Sequence, residues 1–148
     1  VFEHMLEKII VLAAFIPVIM GMGGNIGTQS STIIVRGIAT GRVDVGSELK
    51  LIFKEMRVGL ILGIFYGFLL GCFAKFSFEE TYPNLGIVVG LSICASMLVA
   101  ATIGTVIPLI LRKMDIDPAV ATGPFVTTSI DIFGVLFYFV IAGTIMAF

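Results

Sequence analysis

The sequence predicts an all-α membrane protein in which four transmembrane helices are visible. Three observations carry that expectation. Of the 148 residues, 58% are hydrophobic and 13% are charged, with a mean hydropathy of +1.13. A soluble domain carries about 25% charged residues, and a chain this short cannot bury so much apolar surface within itself, so lipid is the solvent. The charges are clustered, leaving long apolar runs between them. Finally, no run shows the alternation of apolar and polar residues, in segments of about ten, that a membrane β-barrel needs.

The uncharged gaps define the spans. Ile9–Val35 and Leu85–Leu111 each contain 27 residues without a charge, and Val58–Ala74 contains 17. Pro118–Phe148 contains a single charge, Asp131. A helix crosses the hydrocarbon in roughly 20 residues, which predicts spans at about 6–36, 55–77, 84–112 and 118–147. The second is short, but Arg57 and Lys75 can snorkel. Between the first two spans, Gly41, Asp44 and the Ser47-Glu48 pair predict a loop and a short amphipathic helix. Thr81-Tyr82-Pro83-Asn84 reads as a turn. Asp117-Pro118 reads as a helix start, with Asp117 as the cap and Pro118 in the first position.

Function classes fall away quickly. A net charge of −1 without a basic surface excludes nucleic acid as a partner. The two cysteines, Cys72 and Cys94, sit in apolar runs without a CxxC pattern or a His neighbour, which argues against thiol redox or metal chemistry. No low-complexity tract or secretory signal is visible. The loops 36–57 and 112–117 hold seven cations, Arg36, Arg42, Lys50, Lys54, Arg57, Arg112 and Lys113, against Lys8 and Lys75 on the other side. The positive-inside rule puts the seven-cation side in the cytoplasm of a multi-pass protein of the cell (inner) membrane. Both termini are then outside. A chain that starts outside with Val1 and no signal leads to the expectation of one further span upstream.

Small residues predict how the spans pack. The second span repeats Gly59, Gly63, Gly67 and Gly71 every fourth residue, a smooth face for a neighbouring helix. Gly86, Gly90, Ser96, Ala100 and Gly104 supply the matching surface on the third, where Pro108 predicts a kink.

The chemistry gathers in two places. Asp131 is the only ionisable residue well inside a span, roughly 20 Å beyond Asp117 at 1.5 Å per residue. A charge there costs several kcal/mol unless it meets water, a proton or a partner. No Lys, Arg or His lies in the uncharged runs that make up the interior of the spans to pair with it. Its carboxylate must be protonated, face a wet cavity or bind a mobile cation; a neutral Asp bonded to a neighbouring helix is the structural alternative. Val120, Gly123 or Pro124, and Thr127 share its helical stripe, with Thr128 beside it. Pro124 would loosen the backbone one turn below.

The first span carries a matching polar stretch from Gly21 to Thr32, with four glycines, Asn25, Gln29 and two threonines. Such residues are tolerated in lipid where they line a cavity; a glycine packing seam is the plainer alternative. Asn25 lies about 16 Å in from Arg36 by the same rise, close to the depth of Asp131. The first and fourth spans are therefore expected to face each other across a wet path. Every donor is an oxygen, which selects hard cations such as Mg²⁺ or Ca²⁺. One intramembrane Asp per chain suggests a symmetric homodimer that brings two carboxylates to one dication. Mg²⁺ would keep most of its waters, bound loosely enough to pass.

Pro17-Val18-Ile19-Met20-Gly21-Met22-Gly23-Gly24-Asn25-Ile26-Gly27-Thr28-Gln29 resembles the signature of the MgtE family of magnesium channels. Asp117-Pro118-Ala119 and Pro124–Asp131 resemble that family's last helix, and the resemblance runs through most of the chain. It implies a homodimer of five-helix protomers with a pore at the dimer interface, between the family's second and fifth helices. The first span here would be the family's second. The resemblance further implies that Asp131 is the pore carboxylate holding hydrated Mg²⁺, with Gly21, Asn25, Gly123 and Thr127 lining the same metal site. Relatives can carry Asn at position 123, so Gly123 removes a side-chain oxygen. Cytoplasmic magnesium-sensing domains, often including a CBS pair, are partners in many members.

An enzyme is not expected. Paired Asp131 carboxylates could serve an intramembrane aspartyl protease, but Ser129-Ile130 precedes Asp131 where such enzymes show a GxGD pattern. The function expected is passage of hydrated divalent cations. The alternatives are a secondary transporter exchanging Mg²⁺ for Na⁺ or H⁺, associated with eukaryotic relatives, and a purely structural subunit.

Overall fold

The computed structural model describes residues 10–43, 46, 48–78 and 82–146. Expectations that touch Lys8, Asp44, Ser47 and Thr81 fall outside the described residues. Four long helices succeed one another: α1 (Ile10–Ala39), α2 (Glu48–Phe78), α3 (Leu85–Lys113) and α4 (Pro124–Ile145). Each is long and apolar enough to cross a membrane, and no strand occurs among the described residues. Lipid leaves the backbone no water to bond, so each span must satisfy its own amides, which is why the apolar runs are helical throughout.

The helix ends carry local signals. α1 closes in a Schellman motif, with Gly41 in the left-handed region at φ 67 and Arg42 N donating to Gly37 O at 2.9 Å. α3 closes the same way with Asp115 at φ 57 and Ile116 N donating to Leu111 O at 2.9 Å; Asp is among the few residues that visit this region. α2 runs unbroken from Glu48, so among the described residues no separate amphipathic helix precedes it. Pro17 and Pro108 lie inside α1 and α3, both of which continue through them.

The fourth expected helix differs in its first turns. Asp117 caps as expected, accepting from Ala119 N at 2.9 Å, with Pro118 next. Pro118–Thr122 then forms a 3₁₀ turn, and the α-helix starts only at Pro124. A residue before proline is pushed out of the α region, and Gly123 is extended at φ −105, ψ −141. Pro124 therefore occupies the first position of α4, where its missing N–H costs nothing, rather than loosening a helix interior.

α3 is the central helix and packs against the other three, whereas α2 packs almost wholly against α3. The main core joins Leu12, Phe15 and Ile19 of α1 with Val89, Ile93 and Met97 of α3 and Tyr138 and Phe139 of α4. Tyr138 Oη donates to Leu12 O at 2.9 Å, satisfying a buried phenol. The α2–α3 contact tracks the glycine repeat. A Cβ at Gly63 would sit 3.0 Å from Cys94 O, and one at Gly67 would lie 2.5 Å from Gly90 O. The small residues of α3 divide between two faces. Gly86 and Gly90 meet α2, while Ser96, Ala100 and Gly104 meet Gly23 and Gly27 of α1. The outer face of α2, including Ile61, Ile64, Phe65, Phe68 and Phe76, is exposed and apolar, as a lipid-facing surface must be.

Candidate cation groove

The polar stretch of α1 is split by helical periodicity into two faces. Gly23, Ile26, Gly27, Ser30, Ser31 and Ile34 are buried. A Cβ at Gly27 would fall within the Ile130 side chain, and one at Gly104 would collide with Gly27 O, so bare backbones meet here. On the opposite face, Gly21, Gly24, Asn25, Thr28, Gln29 and Thr32 line an open groove of about 710 Å³. The packing seam and the cavity lining expected of this stretch are thus both present, on opposite sides of one helix.

α4 completes the groove. Thr127 and Asp131, one turn apart, line it together with α1. Val126 and Ile130 are buried against Ala100 of α3, which holds α4 in the rotation that turns its polar stripe outward. Of the residues expected to form the site, Gly21, Asn25, Thr127 and Asp131 share this groove. Gly123 does not line it; it stands at the break before α4, with nothing within 4 Å of where a Cβ would stand.

The groove presents oxygen lone pairs. Thr28 Oγ1 donates to Gly24 O at 2.8 Å, Thr32 Oγ1 to Thr28 O at 2.8 Å and Thr127 Oγ1 to Pro124 O at 3.2 Å. With their protons turned back to the helix, these hydroxyls offer acceptors. Asn25 and Gln29 stand beside them on the same face. Asp131 is half-buried, and among the described residues it is the only carboxylate lining the groove and has no hydrogen-bond or ion-pair partner. An apolar hollow of about 470 Å³, lined by Met20, Asp131, Ile132, Val135 and Leu136, adjoins it. Among the described residues no cluster of three or more His, Cys, Asp or Glu is placed to hold a metal. A cation here would meet one carboxylate and neutral oxygens, a weak hard-ligand set suited to a hydrated ion.

Two residues escape the sequence reading. Arg36, read from the sequence as a boundary cation and not as part of the site, lines the groove's end. Its signal is the spacing of Asn25, Gln29, Thr32 and Arg36 along one stripe. Glu55 is 4% exposed, and its Oε2 accepts from Ser30 Oγ at 3.0 Å, linking α2 to the buried side of α1. It lies four residues before Gly59, on the face of the glycine repeat, which marks it as inward-facing.

Four helices able to cross a membrane, two of which line an oxygen-rich groove, define a multi-pass integral membrane protein. A family profile described as "MgtE: Divalent cation transporter" matches residues 16–141. The chain belongs to that family, one of transporters rather than enzymes. It is 38% identical over 141 residues to a protein of Thermus thermophilus named magnesium transporter MgtE, covering 95% of this chain and 31% of the relative. It is 36% identical over 141 residues to the Bacillus subtilis protein of that name, with 95% and 31% covered. The Enterococcus faecalis counterpart is 35% identical over 147 residues, with 99% and 32% covered. The chain thus spans about a third of the length of these curated relatives.

Proposed function

We propose that the chain forms the cation path of a magnesium transport protein: hydrated Mg²⁺ moves along the α1–α4 groove and pauses at Asp131. A second copy, related by a two-fold axis, supplies the facing wall. The observation that carries this reading is Asp131 itself, a carboxylate unpaired among the described residues, in a groove otherwise lined by neutral oxygens and apolar groups apart from Arg36 at its end. An intramembrane carboxylate is costly to keep charged, and a passing dication offsets that cost. The groove is open along one side, as half of a shared conduit would be. Two facing carboxylates would balance one Mg²⁺, and binding through its water shell would stay weak enough for release. The names of the three relatives support Mg²⁺ as the cargo.

The test is Mg²⁺ uptake by liposomes containing the full-length protein, read with an internal Mg²⁺-sensitive dye. Attraction between a carboxylate and a dication through intervening water is about 3 kcal/mol at a dielectric between protein and water, so Asp131→Asn is expected to lower flux roughly a hundredfold. Unchanged flux would remove the carboxylate from the path. Cysteine at Thr127 is expected to crosslink to its counterpart in the second copy; full flux from a monomeric species would overturn the shared wall.

A further inference from the structure

A second cavity, of about 550 Å³, opens between the end of α1 and the start of α2. That volume is typical of small-ligand sites, which run from about 300 to 1,000 Å³. Three cations line it: Arg36 and Arg42 at the end of α1, and Lys54 on α2. No carboxylate among the described residues lines it. Among the described residues the nearby acids are engaged elsewhere, Glu48 Oε1 with Lys113 Nζ at 3.6 Å and Glu55 Oε2 with Ser30 Oγ. The remaining lining includes Ile33, Ile34 and Leu51, so cations and apolar side chains meet in one hollow. It lies where two apolar helices emerge from the hydrocarbon, on the side that the positive-inside rule assigns to the cytoplasm. A phosphate ester attached to hydrocarbon satisfies both halves of that lining.

We propose that this cavity binds the phosphodiester headgroup of an anionic glycerophospholipid, and that the bound headgroup regulates cation passage through Arg36. Arg36 lines both this cavity and the end of the Asp131 groove. A free guanidinium there repels an approaching dication. A phosphodiester drawn up to Arg36, Arg42 and Lys54 neutralises that charge and lowers the barrier at the groove's end. The lipid site stands on the cavity alone; its effect on flux rests on the proposed passage of Mg²⁺ past Asp131.

The two parts have separate readouts. Native mass spectrometry of the full-length protein is expected to retain phosphatidylglycerol, with retention falling about fivefold for each cation removed in Arg42→Gln and Lys54→Gln, from the usual strength of a basic side chain near an anionic headgroup. Lys50→Gln, an exposed change that does not line the cavity, keeps retention at the wild-type level. Mg²⁺ flux is then compared between vesicles of phosphatidylcholine alone and vesicles also containing phosphatidylglycerol. The ratio of the two fluxes is expected to exceed unity for wild type and Lys50→Gln, and to collapse in the Arg42→Gln/Lys54→Gln double variant. Because surface charge concentrates Mg²⁺ equally for all variants, only that difference counts. Equal retention in all variants overturns the site. Stimulation of flux in neutral vesicles by inorganic phosphate overturns the lipid source. Selective retention with identical flux ratios in all variants overturns the regulation and leaves the Asp131 path to its own test.

Discussion

The α2–α3 seam and the groove face of α1 are both rich in glycine, yet they do opposite things. Along the seam, Gly63 and Gly67 bring backbone against backbone: a Cβ at Gly63 would press on Cys94 O at 3.0 Å, and one at Gly67 would stand too close to Gly90 O to be accommodated. On the groove face, Gly21 and Gly24 have nothing within 4 Å of where a Cβ would stand. The residues between the glycines account for the difference. In α2 the interleaved positions are all large Ile, Leu, Phe or Tyr, most of them exposed on the outer face, which leaves the glycines to pack. In α1 they are Asn, Thr and Gln, which cannot face lipid and instead hold a cavity open. Glycine spacing thus marks either a backbone contact or an open face, and the residues between the glycines say which.

The largest expected effect separates these two roles. Gly67→Ala places a methyl 2.5 Å from Gly90 O, a backbone atom that cannot move aside, and is expected to destabilise the α2–α3 pair by about 3 kcal/mol, the upper end of typical overpacking. Gly24→Ala meets open space, so its stability is expected to stay within about 1 kcal/mol of wild type, on the favourable side from helix propensity, while the added methyl narrows the groove and lowers Mg²⁺ flux. Unfolding in mixed micelles with flux on the same preparations checks both. Equal stability losses would erase the distinction between seam and groove.

A smaller effect concerns the link between the two regions. Ser30, on the buried side of α1, donates to Glu55 at the start of the glycine face of α2. Ser30→Ala leaves a buried carboxylate without that donor, at a cost of about 2 kcal/mol. Glu55→Gln keeps an acceptor for Ser30 Oγ and is expected to cost less. The same unfolding measurement ranks the two, and a more harmful Glu55→Gln would show that the carboxylate charge, not the bond, is what matters.

The legibility of these features depends on physical contrast. Four helices and their approximate extents are readable because charge is excluded from hydrocarbon, and the clustering of Lys, Arg, Asp and Glu is therefore sharp. Asp131, Thr127 and Asn25 are readable for the same reason, as polar groups where lipid permits few. Glu55 and Arg36 lie close to charged loops, where such residues are ordinary, and only their register along a helix sets them apart. The break at Gly123 is obscured because Asp117-Pro118 is itself a valid helix start. The second proline, Pro124, reads as an interior residue that loosens the backbone one turn below, and is in fact the first position of α4.

Seam and groove contrast most sharply at Asn25, the polar counterpart of the seam's apolar residues. Its side chain is exposed on the groove face of α1, one turn above Gly21 and one helix across from Asp131. Asn25→Leu removes an amide oxygen that would accept from the water shell of a hydrated cation, and replaces it with a branched apolar group of similar size. Losing one such hydrogen bond, about 1.4 kcal/mol in the upper range for a single bond, lowers flux roughly tenfold. No packed neighbour is disturbed, so stability should not fall. Asn25→Asp supplies a second carboxylate to the same groove and is expected to bind Mg²⁺ more tightly while releasing it more slowly. Lower half-saturation with lower maximal flux would place position 25 on the ion's route, whereas wild-type flux in both variants would make the α1 stripe a solvated surface and leave Asp131 without its facing oxygens.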